Sequence, residues 1–411
     1  MKHPFLIPLI PMLLALLFAS CKKEEGPQIP PDTATPAELS AKLEGIIENT
    51  EVPGFAVTVA EGGAIIFQEA FGYADLQARK PYTNQTLQHL ASVSKTFVGA
   101  AVVKALEQGY FTLETDINDI LPVELSNPKR PDAVIRVKHL VTHTSGLLDN
   151  PAVYVAENYY IMPGESLATV GAQAMASMGI EQRPARPLEE FLAEFYLEDG
   201  ALYSPDNFAD TAPGAAWAYS NVATGLAAYL VETATGQPFA EYVRVNILQP
   251  LGMYSSTYDI RAVDRSRAAR CYLDKGAPFP FYGNDSYVEG GMFTSNEDLG
   301  EYLLDMMKGA RESSGALFSG AGYGLLFAAQ LADGIVPPDF ADNHGIFWIR
   351  KGNTILHSGA SLGVSTHLEF DASGKSGYAL MTNMDASFDP AGYQEVARLV
   401  RQAVEEFLEA N

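Results

Sequence analysis

Cysteine is nearly missing: Cys21 and Cys271 are the two in 411 residues, and neither sits in a C-x-x-C pair. That excludes a disulfide framework. The seven histidines form no H-E-x-x-H run and no paired cluster, so no metal site and no cofactor is implied. Positive charge is also scarce. Against 50 Asp and Glu stand 27 Lys and Arg, a net charge of −23, which argues against nucleic acid or an anionic membrane surface as a partner. The apolar run from Phe5 to Ala19 is shorter than the ~20 residues a membrane-spanning helix needs, and Pro8 and Pro11 interrupt it. What the chain does have is globular: 47 % apolar residues, with 21 Phe and 20 Tyr, can bury a substantial core. The length allows one large domain or two to three ordinary ones.

The N-terminus follows the order of a secretory signal: Lys2 and His3, the apolar run, then the small residues Ala19 and Ser20. Residues 1–20 are therefore expected to be a signal peptide. Leu17-Phe18-Ala19-Ser20-Cys21 resembles the lipobox of bacterial lipoproteins, which implies a lipid on Cys21 and a membrane attachment through it. Lys22-Lys23-Glu24-Glu25 and the Pro-rich stretch through Pro36 read as a solvated tether over 21–36. The implied location is the bacterial cell envelope. With Cys21 lipidated, Cys271 has no partner for an internal disulfide and reads as a small side chain in or near the core.

Beyond the tether, Leu39, Leu43 and Ile46-Ile47 predict a helix over 36–49. Residues 55–59 and 64–71, joined by Gly62-Gly63, predict a hairpin. A further helix runs from Ser94 to Gln108. Residues 111–285 show helical segments, Pro-rich loops and few strands. Strands return at 346–350, 354–357, 365–370 and 377–382, and 391–409 is a strongly amphipathic helix. The expected fold is α/β (α+β): an antiparallel sheet with flanking helices from about 37–110 and 286–411, and a mostly helical insert over 111–285.

The chemistry centres on Ala91-Ser92-Val93-Ser94-Lys95. A Ser and a Lys three residues apart at a helix start share one face, about 5–6 Å apart at Cβ. A Lys neutralised by desolvation can take the hydroxyl proton, and a helix N-terminus favours negative charge on an attacked carbonyl oxygen. S-x-x-K alone carries little weight. Ser20-Cys21-Lys22-Lys23 and Ser126-Asn127-Pro128-Lys129 match it too, the first in the signal and the second broken by Pro128. Tyr219-Ser220-Asn221, after the turn Pro213-Gly214, adds a phenol as proton carrier and an amide as positioner, whereas Tyr282-Gly283-Asn284 lacks that context. His357-Ser358-Gly359-Ala360 offers backbone N–H groups at a strand edge. His139 and His143, within His139-Leu140-Val141-Thr142-His143-Thr144-Ser145-Gly146-Leu147, read as loop braces.

These elements, in this order, resemble the serine β-lactamase and penicillin-binding-protein-like hydrolases, especially the class C, D-alanyl-D-alanine carboxypeptidase and esterase branch. Thr235-Gly236-Gln237-Pro238-Phe239, Pro250-Leu251-Gly252-Met253 and Gly290-Gly291-Met292-Phe293-Thr294-Ser295 extend the likeness over about 39–407. The resemblance implies a β-lactamase/transpeptidase-like fold and an acyl-enzyme on Ser92. Lys95 and Tyr219 handle the proton, Asn221 positions, and the N–H groups of Ser92 and Ala360 hold the oxyanion beside Gly359. His357 stands where many β-lactamases carry Lys; neutral at pH 7, it is a weaker carboxylate anchor. The implied partner is a small-molecule or peptide substrate: a D-Ala-type peptide, a small ester or a β-lactam. The segment from Tyr154 to Arg186 departs from the family pattern and is expected to shape or cover the cleft.

Two rivals exist. Gly359-Ala360-Ser361-Leu362-Gly363 matches the G-x-S-x-G of α/β-hydrolases, which must lead from strand to helix; alternation over 364–370 predicts a strand there instead. A penicillin-binding or sensor module of the same fold would acylate Ser92 without turnover.

Overall fold

The structure, a computed structural model, describes residues 35–384 and 390–410. The signal segment, Cys21 and the tether as far as residue 34 lie outside the described residues. Helix α1 (Pro36–Asn49) starts with a capping box, in which Thr35 Oγ1 accepts from Glu38 N and the Glu38 carboxylate accepts from Thr35 N. Its buried Leu39, Leu43 and Ile46 recur at helical spacing.

Eight antiparallel strands form the central sheet: β1 (Gly54–Glu61), β2 (Ala64–Asp75), β3 (Lys80–Pro81), β4 (Asn343–His344), β5 (Ile349–Lys351), β6 (Thr354–Ser361), β7 (Val364–Asp371) and β8 (Ser376–Thr382). Their order is β4-β5-β6-β7-β8-β1-β2-β3, so the C-terminal strands join the N-terminal hairpin through the β8–β1 pair, with Val57 opposite Leu380. Period-2 alternation divides the side chains between two faces. Tyr378 and Leu380 lie with Phe55, Val57 and Val59 under α1 and the C-terminal helix α5 (Pro390–Ala410), which contributes Val396, Val400, Val404 and Phe407. Ala379 and Met381 belong to the opposite face and to the large core there.

That larger core holds α2 (Ser94–Glu107), α3 (Asn221–Thr235) and α4 (Asn296–Glu312). Phe97 of α2 stacks on Tyr302 of α4 at 4.0 Å between ring centroids. Helix α2 is buried almost all round, which fits its nearly uniform run of small and apolar residues. Burying its side chains is worth on the order of 1.5–3 kcal/mol for each large apolar one. The element that carries the chemistry is thereby fixed from all sides.

The segment expected to shape or cover the cleft packs against the site's own residues, with Tyr154 Oη donating to Glu289 Oε1. A short helix (Tyr154–Asn158) leads into a strand (Tyr159–Ile161) that pairs with Tyr282–Asn284. The carboxylate of Asp285, its side chain fully buried, closes the segment. It accepts from Arg183 at 2.7 and 3.1 Å, and from Arg186 Nε and N at 2.8 Å each.

Candidate active site

Ser92 lies in a single 3-10 turn, Ala91–Val93, immediately ahead of α2, one step before the α-helix proper. Two hydrogen bonds and one strained residue mark that turn. Leu90 N donates to Met292 O at 2.8 Å, Thr366 Oγ1 donates to Leu90 O at 2.5 Å, and Ala91 sits at φ +45. A left-handed backbone at a non-glycine residue costs on the order of 1–2 kcal/mol, so the surrounding bonds must impose it. Helical spacing then brings Lys95 Nζ within 3.2 Å of Ser92 Oγ.

Lys95 is fully buried and donates three hydrogen bonds: to Ser92 Oγ, to Glu289 O at 2.8 Å and to Glu289 Oε2 at 3.3 Å. Three donors satisfied at once is the inventory of an ammonium. Burial pulls the Lys95 pKa down, and this is the largest single influence; Tyr219 and the Glu289 carboxylate together outweigh it and leave the pKa raised. Desolvation thus favours the neutral amine, as expected from the sequence, and the charges packed around Lys95 oppose it.

Tyr219 lies half-buried with its hydroxyl sealed from solvent, and Lys95 Nζ stands 5.1 Å from its ring centroid. The hydroxyl makes no hydrogen bond of standard geometry, yet Lys95 and Ser92 both act on it to lower a pKa that burial raises. Ser92, Lys95 and Tyr219 are thus brought together. His143 braces Tyr219 as expected, with ring centroids 4.5 Å apart and Nδ1 accepting from Ser220 N at 3.3 Å. His139 is likewise a brace, its Nδ1 accepting from Arg136 N.

Asn221, expected as a positioner, is the first residue of α3. Its Nδ2 donates to Asp149 Oδ2 at 2.8 Å, and none of Lys95's three hydrogen bonds goes to it. Asp149 accepts four bonds in all, from Ser220 Oγ, Asn221 N, Asn221 Nδ2 and Val222 N. A carboxylate at the first turn of α3 suits the helix dipole, and it fixes the backbone from which Tyr219 projects. Burial raises the Asp149 pKa while these N–H groups oppose the shift.

On the facing strand β6, His357, Gly359 and Ser361 share the buried side. A Cβ on Gly359 would stand 2.6 Å from Leu90 O and 2.7 Å from Ser92 N, so only glycine lets β6 approach the nucleophile. Ala360 pairs with Ser365 on β7. His357 is buried; its Nδ1–H donates to Ser358 O at 2.7 Å, which leaves a lone pair on Nε2 with no partner. Burial, then Lys95, pushes its pKa down to about 3.

The decoys fall away from this centre. Ser361 precedes a tight turn at Gly363, φ +71, into β7, not a helix, and its Oγ accepts from Tyr282. The strand-to-helix elbow of the α/β-hydrolase reading is absent there. Lys129 Nζ donates to Phe208 O in a loop. Cys271 is half-buried, with Sγ 3.7 Å from His89 Nε2.

Sequence reasoning missed Asp149 and Glu289. Each adjoins a phrase that was read: Asp149 stands two residues after Leu147, and Glu289 directly before Gly290-Gly291. A buried acid beside a glycine pair is the available signal, but pairing across about 190 residues is not visible in sequence.

A buried Ser–Lys pair with a phenol beside it, at the start of a helix facing an antiparallel sheet, is the arrangement of a candidate serine-hydrolase site. The family model "Beta-lactamase" matches residues 39–402, and the chain belongs to that family of serine β-lactamase-, penicillin-binding-protein- and esterase-like hydrolases. Similar curated proteins include Esterase EstB of Burkholderia gladioli, 31 % identical over 53 % of this chain and 51 % of that one. Penicillin-binding protein 4* of Bacillus subtilis (strain 168) is 26 % identical over 52 % of this chain and 40 % of that one. The matches thus span about half or less of these relatives' length. Among solved structures, the octameric penicillin-binding protein homologue from Pyrococcus abyssi aligns with a TM-score of 0.69 at 22 % identity, covering 90 % of this chain and 76 % of that one. A penicillin binding protein from Bacillus halodurans gives 0.64 at 21 %, covering 88 % and 98 %. At these identities the two structures establish the shared fold.

Proposed function

We propose that the protein is a serine hydrolase that forms an acyl-enzyme on Ser92 from a neutral ester or amide. The observation that carries this reading is the 3.2 Å contact between Lys95 Nζ and Ser92 Oγ, with the Tyr219 hydroxyl beside both. With Lys95 in its neutral form, Ser92 Oγ attacks the carbonyl carbon and its proton passes to the Lys95 amine, the Tyr219 hydroxyl lying beside both. The N–H groups of Ser92 and Ala360 take the oxyanion, and Lys95 returns the proton to the leaving group. Water then hydrolyses the ester on Ser92.

The preference for an ester or amide without a free carboxylate rests on His357. An uncharged imidazole presenting a lone pair repels a carboxylate where an ammonium would hold it. The likeness to an esterase points the same way. The sequence alone supports the further proposal that a lipid on Cys21 holds the enzyme at the envelope, with residues 1–20 removed.

The test is turnover of a p-nitrophenyl ester by the purified protein beside Ser92→Ala. Loss of turnover in Ser92→Ala supports the reading, and full activity sinks it. Wild-type protein that is stably acylated by penicillin and turns over no ester would instead make it a penicillin-binding module.

A further inference from the structure

The buried carboxylate of Glu289 has no part in the acyl-transfer steps above, yet it is the anion in contact with the lysine that those steps need. Lys95 and Glu289 are an ion pair with side chains 0 % and 4 % exposed, and Oε2 and the main-chain oxygen of Glu289 take two of the three Lys95 bonds. The other carboxylate oxygen is fastened from behind. Oε1 accepts from Tyr154 Oη at 2.7 Å and Asn284 Nδ2 at 2.8 Å, with Asn158 Nδ2 at 3.5 Å. Tyr154 and Asn158 come from the segment that departs from the family pattern, which therefore supports the site from within the protein.

A charge pair taken out of water is costly unless its geometry is held, and a pair held by this many bonds is built to keep one state. We propose that Glu289 is a positioning residue: it keeps Lys95 as a three-proton ammonium aimed at Ser92 in the resting site, and so sets the pH at which Lys95 becomes a base. The inference rests on the serine-hydrolase reading of the same site. The other charged or titratable groups acting on Lys95 are Tyr219 and Asp149, and His143 and His357 stand near enough to feel its charge. Tyr154 faces Glu289 from the far side. Of these, Glu289 is the one carboxylate that Lys95 touches, among the described residues.

Lys95 Nζ has three oxygen neighbours, Ser92 Oγ, Glu289 O and Glu289 Oε2, and an ammonium that donates to all three has no lone pair for the serine. A neutral amine appears when Lys95 releases one proton to solvent as pH rises. Removing the Glu289 charge lowers the Lys95 pKa, so the base form appears at lower pH.

The experiment is the pH profile of kcat/KM on a p-nitrophenyl ester for wild type, Glu289→Gln and Glu289→Asp. Glu289→Gln is expected to move the rising limb to lower pH by about one unit or more, a tenfold change in the equilibrium. Glu289→Asp, keeping the charge, is expected to hold the limb near wild type. A rate loss in Glu289→Gln with an unmoved limb shows a merely structural role and overturns the proposal. Should Glu289→Gln fail to fold, NMR of 13C-lysine-labelled wild type, with Lys95→Arg to assign the signal, decides. An ammonium at neutral pH is expected, and a neutral amine at pH 7 overturns the proposal. Full activity in Ser92→Ala would instead sink the serine reading, and the NMR titration would still judge Lys95 on its own.

Discussion

Gly359 and Ser92 are in contact through the space a side chain would fill: a Cβ at Gly359 would lie 2.7 Å from Ser92 N. The strand and the nucleophile's turn approach closely because that position has no side chain. Gly359→Ala must push β6 away from the 3-10 turn, displacing one oxyanion donor from the other. Loss of a single such donor costs about 10²–10³ in kcat. Gly359→Ala is therefore expected to lower kcat on a p-nitrophenyl ester by that order, while circular dichroism stays that of a folded protein.

Asp149 gathers four N–H or O–H donors at the start of α3. Asp149→Ala leaves those groups buried and unsatisfied and frees the backbone under Tyr219. A destabilisation of about 3 kcal/mol is expected, together with a fall in kcat larger than the change in KM. Urea unfolding and steady-state kinetics on one preparation measure both.

Asp285 fastens the Tyr154–Arg186 segment through Arg183 and Arg186. Asp285→Ala strands two guanidinium groups in part-buried positions, and breaking a buried pair from one side costs about 3–5 kcal/mol. The segment is expected to become protease-sensitive near Arg183, which limited trypsin digestion followed by mass spectrometry would detect. An unchanged digestion pattern would contradict the anchoring.

Five buried or largely buried histidines share one pH response, and burial holds His143 well below its ordinary value. Burial pushes His89, His139 and His344 down to about 4 and His357 to about 3. In the unfolded chain each protonates near its ordinary value of about 6.5. The unfolded state therefore binds more protons below that pH. The stability these neutral rings contribute is complete above about pH 7 and is lost as pH falls towards 4. The thermal midpoint is expected to drop steadily from pH 7 to pH 5, and His344→Gln to flatten the slope.

Ser361 separates the two serine readings. Its hydroxyl serves as acceptor for Tyr282 at 3.2 Å, away from Lys95. Ser361→Ala is expected to keep turnover within about a factor of ten, the equivalent of about 1.4 kcal/mol, whereas Ser92→Ala abolishes it.

Much of this was legible in the residues themselves. Helix α1 could be read because its cap, its Pro and the spacing of Leu39, Leu43 and Ile46 all agree locally. The strands at the C-terminus could be read from alternation, and Ser92 and Lys95 from a spacing that a single helix enforces. The alternation over 364–370 likewise told strand from elbow. Strand β6 extends past His357 to Ser361, beyond the sequence-based limit, because β7 folds straight back on it after the turn at Gly363 and pairs with it to the end, Ser361 opposite Val364.

Other features only the folded chain decided. The direction in which the Lys95 pKa moves depends on Glu289, 194 positions away, and on how well three neighbours hold that carboxylate. Asn221 reads as a positioner in sequence, and only the fold shows that its amide donates to Asp149, 72 positions earlier. The course of the segment expected to shape or cover the cleft is fixed where Arg183 and Arg186 close on Asp285. Local order along a chain is set by propensity and periodicity, which a sequence displays. The charge state of a buried group is set by which distant dipoles and charges the fold packs against it, and by the water the fold keeps out.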